Sequence, residues 1–511
     1  MRRLLVFLML AVLLLSGCTV STEPTQPTAP TSIEPTQTTS PTEQPGEIMF
    51  SPVYLPVYGL NPYTCTATLN RALFSLLYES LFAVSSSFRA EPVLCESFRI
   101  EMDGLQYTIT LCADAQFSDG TPLTAADAAA SLRAAKAGPV YSGRLTGVDS
   151  AEATGLRELT IRFNKVYENP AVLLDFPIVK EAEVSAPYPT GSGPYRYAYA
   201  ALVRCDSWWQ DAAAPLMQQT LPLRSAATAE EVRDAFELGG ADMVYCDPNA
   251  PAAVSFRCDY EVWEVPTTVM HYLGFNMNGY FSDTSLRVAL GRAVDRAALV
   301  NDCYGGFAQA SVLPCSPNSS LYDRTLAARY GYSESALLSA VRNLPSFDPN
   351  QSAVFLVCVE DPARVTAAQR IVQVCTDAGL NVTLSALSAE EYHTALEKGE
   401  FDIYLGEVRL TSDFDLSAFF TSGGSLCVGG ISDPTLSALC TAARANSGDY
   451  STLYGRLLEQ APICPLVFKS YAVYATRGKL FALTPAVDRI FHNSTTARSL
   501  SDADKTVYAG E

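Results

Sequence analysis

Acidic residues follow two apolar segments in the second half of the chain, and they are the residues best placed to do chemistry. Glu360 and Asp361 come directly after the apolar run 353–359, and the segment 411–415 (Thr-Ser-Asp-Phe-Asp) follows the run 401–408. Carboxylates gathered in one place attract cations and protonated amines. The spacing therefore predicts an acidic binding site, provided that the two runs lie near each other in the fold.

Other residue types give no persuasive reactive site. The three histidines, His271, His393 and His492, are far apart and lack the spacing of metal ligands. The Gly-Ser-Gly at 191–193 is not the Gly-x-Ser-x-Gly of a serine nucleophile, and its glycines are typical of a tight turn. No phosphate-binding loop or dinucleotide fingerprint is present. We therefore predict a binding protein that is not an enzyme and carries no metal and no cofactor.

The segments that must position the acidic residues read as alternating strands and helices. Ser388 and Glu391 form a capping box that opens one helix, which is predicted to end near Gly399. An earlier helix is predicted from 362 to 379. Connections this short favour right-handed crossovers and a parallel α/β sheet, in which ligands bind outside the carboxyl ends of the strands. The three predicted strands are 353–359, 380–387 and 401–408.

The first half of the chain has a different rhythm. Apolar and polar residues alternate at 105–111 and at 159–163, which predicts two half-buried strands. Thr124 and Asp127 form a second capping box, opening a helix of small residues that is predicted to end near Gly138. This half is therefore expected to be rich in sheet, with short helices.

The amino terminus predicts where the protein is found. Arg2 and Arg3 precede an apolar run of about 12 residues, shorter than the roughly 20 that a membrane-spanning helix needs. Cys18 follows Ser16 and Gly17, as in a bacterial lipobox. We predict a signal peptide at 1–17 and acylation of Cys18, which places the protein on the outer face of the cell membrane. The alternative is a leader followed by an incidental cysteine.

The remaining composition limits the fold and the partners. Residues 19–46 hold nine Thr and six Pro and no aromatic residue, so 18–46 is predicted to be an anchored, disordered linker. The folded remainder is too long for one core, which predicts two lobes. A formal net charge of −19 argues against nucleic acid as a partner. Cys246 with Cys258, and Cys303 with Cys315, have spacings that would allow disulfides, but sequence alone cannot pair the cysteines.

A series of short motifs resembles the family-five extracellular solute-binding proteins, which are the peptide and nickel receptors of ABC importers. The resemblance runs from about residue 58 to 475, and Phe-Ser-Asp-Gly-Thr-Pro is its most specific motif. In chain order the motifs are LNPY at 60–63, LYESLF at 77–82, FSDGTPLTAAD at 117–127, GSGPY at 191–195, LGFN at 273–276, LRVAL at 286–290, AVDR at 293–296, FDI at 401–403 and APICPL at 461–466.

The resemblance implies an α/β clamshell of two lobes, of the periplasmic-binding-protein type (type II, cluster C-like). Lobe one would hold 47–266 and 470–511, and lobe two 267–469. Two crossing strands, near 269–276 and 467–474, would form the hinge. The ligand would lie between the lobes, and closure would present both faces to a membrane permease.

The resemblance also assigns ligand-binding residues. In peptide-binding members an Asp in the matching loop holds the α-ammonium group of the ligand, and here that position is Asp413. The alternative is that Asp413 only caps the turn that follows. Arg409 is expected either to meet a ligand carboxylate or to lie at the surface. The full predicted set is Asp413, Ser412, Thr411, Asp415, Phe275, Asn276 and Tyr58.

The resulting functional prediction is a lipid-anchored, monomeric receptor that captures peptides or similar small solutes and delivers them to an ABC permease. The same fold could bind nickel chelates, opines or oligosaccharides. A second interpretation is a tethered peptide sensor without transport, and a peptide hydrolase is the third.

Overall fold

A computed structural model describes residues 50–210, 216, 218–253, 255–344, 350–492 and 495–496 of the chain. The signal peptide predicted at 1–17, the acylated Cys18 and the linker predicted at 18–46 lie outside these residues. No helix of the described part is both long enough and apolar enough to span a bilayer.

Most strands are short, and two of them are long. In chain order they are β1 (Val53–Tyr54), β2 (Phe82–Val84), β3 (Ala90–Pro92), β4 (Cys95–Glu101), β5 (Gln106–Leu111), β6 (Val148–Ala153), β7 (Glu158–Phe163), β8 (Tyr195–Tyr197), β9 (Ala201–Arg204), β10 (Thr220–Pro222), β11 (Arg224–Ser225), β12 (Met243–Cys246), β13 (Tyr260–Phe275), β14 (Ala308–Ala310), β15 (Ser352–Cys358), β16 (Asn381–Leu387), β17 (Ile403–Arg409), β18 (Ile463–Thr476), β19 (Leu480–Phe481) and β20 (Thr495–Thr496).

The helices lie mainly in the second half of the chain. They are α1 (Thr68–Arg71), α2 (Phe74–Leu77), α3 (Ala125–Ala137), α4 (Ala229–Glu237), α5 (Thr284–Ala293), α6 (Arg296–Cys303), α7 (Arg324–Arg329), α8 (Ala336–Arg342), α9 (Pro362–Asp377), α10 (Ala389–Lys398), α11 (Ser417–Phe420), α12 (Pro434–Ala445) and α13 (Tyr450–Gln460). Short 3-10 turns occupy Pro56–Tyr58, Met102–Gly104, Pro170–Leu173, Glu181–Glu183 and Ser447–Asp449.

The predicted elements around the acidic residues are confirmed. The Ser388–Glu391 capping box opens α10, which ends at Lys398 and is capped by Gly399 in the left-handed conformation. Asp361 caps the amino terminus of α9 by accepting a hydrogen bond from the backbone N–H of Arg364. Strand β15 pairs with β16 and with β17 in parallel, as the strand–helix–strand pattern predicts.

One seven-stranded sheet carries these strands and the two long ones. Its order is β12-β18-β13-β17-β15-β16, with β14 also paired to β18. Strands β13 and β18 run antiparallel, and their register shifts between Pro266 and Met270. Strand β13 leads into the helical part of the chain, and strand β18 follows that part and lies between β12 and β13 in the sheet. The register shift lies next to the boundary predicted between the lobes at 266 and 267, and that boundary remains a prediction.

A four-stranded sheet in the first half has the order β4-β5-β7-β6. The alternation predicted for β7 is confirmed, because Leu159 and Ile161 are completely buried. In β5, Ile109 and Leu111 are completely buried as predicted, but Thr108 on the other face is buried as well. The Thr124–Asp127 capping box opens α3, which lies against β6 and β7. Apolar burial of this kind supplies most of the stabilisation of a domain.

The 13 cysteines between Cys65 and Cys464 are free thiols in this structure, so neither spacing considered for a disulfide is used. Several pack as small apolar side chains in the core, which burial favours. Burial raises the pKa of Cys375 to about 12, and the thiol is therefore protonated and unreactive at neutral pH.

Candidate functional site

The segment after β17 forms a tight turn at the carboxyl edge of the seven-stranded sheet. The backbone N–H of Leu410 donates to the Thr268 carbonyl at 3.0 Å, and that of Phe414 donates to the Thr411 carbonyl at 2.9 Å. Phe414 has φ +56°, a conformation that non-glycine residues rarely adopt and that is often found at functional sites. This turn sets the position of Asp413.

Asp413 carries a buried carboxylate without a partner. The residue as a whole keeps some solvent exposure, but both carboxylate oxygens are buried, and neither has a hydrogen-bond partner among the described residues. Burial raises the pKa of Asp413 to about 6, and the charge of Asp415 adds to this effect. The Thr411 hydroxyl and the backbone amides of Asp413 and Asp415 lie near enough to offset part of this rise in pKa, although none of them forms a hydrogen bond of acceptable geometry with the carboxylate. An unpaired buried charge is unfavourable unless a cation compensates it.

The carboxylate of Asp415, two residues later, has partners within the protein for both of its oxygens. One of its oxygens lies 3.2 Å from Nη1 of Arg444, and the other accepts hydrogen bonds from the backbone N–H and the hydroxyl of Ser417. Arg444 also donates to the Ser417 hydroxyl at 2.9 Å. Asp415 therefore caps the turn before α11, which is the role considered as the alternative for Asp413.

Aromatic side chains lie near the turn that carries Asp413, and sequence reasoning did not identify them. The ring of Phe414 lies 5.2 Å from that of Phe88, measured between centroids. The hydroxyl of Tyr450 donates to the backbone carbonyl of Asp413. Burial raises the pKa of Tyr167, and the charge of Asp413 raises it further. Phe88 and Tyr167 are each more than 240 residues from this turn in sequence, and contacts of that kind leave no periodic signal in a sequence.

Arg409 lies at the end of β17, four residues before Asp413. Its guanidinium donates to the hydroxyl of Tyr471 at 2.8 Å and lies over the ring of that tyrosine. The side chain is exposed, and it forms no ion pair with a carboxylate of the described residues. Arg409 and Asp413 are thus opposite charges, close in sequence, that lack ionic partners within the described structure.

A second polar cluster crosses the same sheet. His271, completely buried on β13, has Nε2 2.8 Å from Glu407 on β17 and 3.9 Å from Asp361. Its Nδ1 lies 2.7 Å from the Tyr304 hydroxyl. Burial lowers the pKa of His271, so we assign a neutral imidazole that donates from Nε2 to Glu407. This arrangement brings Asp361 near Glu407, which lies within β17 and was not among the acidic residues that the sequence analysis singled out.

The same cluster resembles a metal-binding arrangement, because the ligand atoms of His271, Asp361 and Glu407 lie within 4.8 Å of one another. However, cations of the protein already neutralise its carboxylates. Lys469 lies 2.7 Å from Asp247 and 3.6 Å from Glu407, and Arg364 lies 3.0 Å from Asp361. Although burial opposes it, contact with His271 and Lys469 lowers the pKa of Glu407 to about 2. The geometry therefore fits an internally satisfied network better than a metal site.

Three predicted ligand residues lie elsewhere. Phe275 is buried and pairs with Ile403, at the opposite end of β17 from Arg409. The side chain of Asn276 donates to backbone carbonyls of residues 399 and 401 at that same end. Tyr58 is half exposed in a 3-10 turn of the first half. The structure brings Thr411, Ser412, Asp413 and Asp415 together in one turn, and it places Phe275 and Asn276 apart from that turn.

Comparison with known proteins agrees with this architecture. The family model described as bacterial extracellular solute-binding proteins, family 5 (middle), matches residues 89–425. Over 275 residues the chain is 26% identical to the glutathione-binding protein GsiB of Salmonella choleraesuis (strain SC-B67), covering 49% of this chain and 52% of that protein. The chain therefore spans about half the length of the curated relatives it matches.

Solved structures share the fold over most of the chain. The murein tripeptide binding protein MppA, in its unliganded open form, superposes with a TM-score of 0.70 at 17% identity, covering 88% of this chain and 95% of that chain. NikA from Brucella suis, in complex with Fe(III)-EDTA, gives a TM-score of 0.68 at 18% identity, covering 88% of this chain and 100% of that chain. The matched family model covers well over half of the sequence, and the chain belongs to the family 5 bacterial extracellular solute-binding proteins.

Proposed function

We propose that this protein is a non-enzymatic receptor that captures a peptide-like solute by its protonated amino group. The unpaired, buried carboxylate of Asp413 is the observation that carries the proposal. An ammonium group beside it would supply the missing counter-charge. A charge-assisted hydrogen bond of this kind contributes about 1.5–3 kcal/mol.

Arg409 extends the proposal to the other end of the ligand. Its exposed guanidinium suits a carboxylate, which Arg can bind through two parallel hydrogen bonds. Arg409 lies four residues before Asp413, so their Cα atoms are at most about 14 Å apart. A ligand that carries both an ammonium group and a carboxylate, such as a short zwitterionic peptide, would pair with both side chains.

The names of the relatives favour the same class of ligand. GsiB is a glutathione-binding protein and MppA is a murein tripeptide binding protein, and both ligands are peptides. NikA was solved with a metal chelate. A chelate with negative charge would be repelled by Asp413, whereas a peptide amino terminus would be attracted to it.

In the cell, the receptor would be anchored through Cys18 to the outer face of the membrane and would act as a monomer. The lobes predicted at 47–266 with 470–511, and at 267–469, would close about β13 and β18. The closed receptor would deliver its ligand to an ABC permease. A tethered peptide sensor would use the same site without transport, and a loss of peptide uptake on deletion of the gene would distinguish a receptor from a sensor.

Isothermal titration calorimetry with three forms of trialanine tests the ligand assignment. The free peptide should bind, the N-acetylated peptide should bind at least tenfold more weakly, and the C-terminal amide should also be weakened. The Asp413→Asn variant should lose the preference for a free amino group, while Arg409→Gln should lose the preference for a free carboxylate. Equal binding of free and acetylated peptides to the unchanged protein would contradict the role of Asp413.

A further inference from the structure

A group of aromatic and apolar side chains lies exposed in the first half of the chain, outside the candidate site. Val57 is 83% exposed, Tyr58 is 49% exposed and Tyr199 is completely exposed. The rings of Tyr188 and Tyr197 stack with 4.2 Å between their centroids, and each ring keeps part of its surface open to solvent. We call these five residues the tyrosine surface. Single exposed apolar residues are ordinary, whereas a contiguous group of them marks an interaction surface.

The segments that carry the tyrosine surface are held next to one another. The backbone N–H of Leu60, just after the 3-10 turn at 56–58, donates to the Pro187 carbonyl at 2.9 Å. The stacked ring pair then joins that segment to Tyr197, at the end of β8. Tyr199 follows two residues later, at the tip of the β8–β9 hairpin. The five side chains therefore come from neighbouring segments, and none of them carries a charge at neutral pH.

The backbone of the hairpin tip is unfavourable for the residue that it carries. Tyr199 and Ala200 have φ +46° and +62°, and Ala198 and Ala201 exchange backbone hydrogen bonds of 2.8 and 3.1 Å. A two-residue turn with two positive φ values favours Asn and Gly, and a bulky side chain is rare there. Because the ring of Tyr199 is completely exposed, folding gains little from it. A surface that has to present an aromatic ring would explain its place at the tip.

The tyrosine surface lies beside the point where the chain enters the described structure. The backbone N–H of Arg224 donates to the Pro52 carbonyl at 2.9 Å, and that of Leu223 donates to the Ala200 carbonyl at the hairpin tip at 2.9 Å. Cys18, where a lipid anchor is predicted, precedes Pro52 by 34 residues, which span at most about 120 Å. The anchor would therefore be attached on this side of the described structure.

We propose that the tyrosine surface contacts the lipid bilayer to which the chain is anchored, with its rings among the lipid headgroups. Tyr is enriched at membrane–water interfaces, because its ring is apolar and its hydroxyl is polar. Since the anchor already confines the protein to the membrane, a weak second contact is enough to orient it. This inference goes beyond ligand capture, and it does not depend on which solute the receptor binds.

The charge of the protein agrees with a contact made by uncharged side chains. A formal net charge of −19 gives the chain as a whole no attraction to anionic lipid headgroups. The contact would therefore depend on aromatic and apolar groups, and salt should not weaken it. A contact made through lysine or arginine would weaken as salt screens it.

Fluorescence quenching by brominated lipid measures how deeply one side chain lies in a bilayer. The anchored protein carrying Tyr199→Trp is reconstituted in vesicles of phosphatidylcholine and phosphatidylglycerol with bromine on the acyl chains. Trp208, Trp209 and Trp263 give the same background in every variant. The added indole should lose about half of its fluorescence or more, because interfacial side chains reach about 5–10 Å into the bilayer surface. The matched control is Tyr332→Trp, at a tyrosine that is 53% exposed in the second half of the chain, and its indole should lose little.

Removal of neighbouring side chains should release the surface from the bilayer. Val57→Ser together with Tyr58→Ser, added to Tyr199→Trp, should reduce the quenching about twofold or more, because the remaining contact buries less apolar area. The matched change is Val359→Ser together with Tyr332→Ser, which also removes one exposed valine and one exposed tyrosine and should leave the quenching unchanged. Raising NaCl from about 0.05 to about 0.5 M should not reduce the quenching.

Equal quenching of Tyr199→Trp and Tyr332→Trp, whether strong or absent, would overturn the proposal. Quenching that persisted after Val57→Ser with Tyr58→Ser would show that the anchor alone brings the hairpin to the bilayer, and it would equally overturn it. Quenching that fell with added salt would assign the contact to charged groups instead. A protein or glycan as the true occupant would leave the indole unquenched in these vesicles. Failure of trialanine to bind would end the proposed function but would leave this result unaffected.

Discussion

Replacing Asp413 by Asn should make the unliganded protein more stable, although it removes a residue of the binding site. Burial raises the pKa of this carboxyl from 3.8 to about 6. One pKa unit corresponds to about 1.36 kcal/mol, so the ionised carboxylate costs the folded protein roughly 3 kcal/mol at pH 8. Asn has nearly the same shape and no charge, and it should recover most of that free energy.

The effect has a definite pH dependence. The folded-state pKa of Asp413 lies above its unfolded value, so the stabilising contribution of this group is complete below about pH 4 and is lost as the pH rises through about 6. The advantage of Asn should therefore be close to zero at pH 4 and largest at pH 8. For about 450 folded residues the entropy of unfolding is roughly 1 kcal/mol per kelvin, so the expected gain in Tm at pH 8 is about 3 °C.

Asp415→Asn is the matched control, because it makes the same chemical change two residues away. Asp415 pairs with Arg444, whose side chain is 6% exposed, so its neutralisation leaves an uncompensated buried cation. Such a change costs about 3 kcal/mol or more, and Tm at pH 8 should fall. Calorimetric unfolding between pH 4 and 8, on protein refolded without ligand, measures both variants. A lower Tm for Asp413→Asn at pH 8, or a gain that does not change with pH, would refute the reasoning.

Three further predictions concern binding, the buried network and the anchor. The affinity for free trialanine should fall about tenfold per pH unit below pH 6, because protonated Asp413 cannot pair with an ammonium group. Calorimetric titrations at pH 5, 6 and 8 measure this fall in affinity. The affinity of Asp413→Asn should show no such pH dependence. Lys469→Met should lower the free energy of unfolding by about 3 kcal/mol or more, because Asp247 and Glu407 lose their shared cation. Lys398→Met, a change at an exposed lysine, should have little effect. Denaturant unfolding compares the two variants, and equal stabilities would contradict the role of Lys469. Cys18→Ala should move the protein from the membrane fraction to the soluble fraction of cells, and retention of the variant on membranes would contradict the lipobox prediction.

The elements around the site could be predicted because their signals are local. A capping box needs only residues i and i+3, so Ser388 with Glu391 and Thr124 with Asp127 identify the starts of α10 and α3. Short apolar runs separated by helices also determine the parallel pairing of β15 with β16 and β17. The position of Asp413 beyond the carboxyl end of a strand followed from the same reasoning.

The remainder of the site depends on contacts that are distant in sequence. Phe275 and Asn276 were predicted to line the ligand, but the antiparallel register pairs Phe275 with Ile403 and places both at the far end of β17. That register cannot be read from the sequence of either strand. Arg444 reaches Asp415, and Tyr167 comes near Asp413, through tertiary packing alone, and no spacing or composition distinguishes them from other buried residues. Asp413 and Asp415 look equivalent in sequence, and only their partners reveal that one is unpaired and the other is neutralised.

Mass spectrometry of the small molecules that co-purify with the protein is the most direct test of the central claim, that Asp413 holds the amino group of a peptide-like ligand. The unchanged protein and Asp413→Asn should be isolated in parallel from the same cells, then denatured to release what they carry. Short peptides with free amino termini should be released by the unchanged protein and be strongly depleted from the variant. Peptides recovered equally from both proteins, or a metal chelate or sugar in place of peptides, would contradict the account.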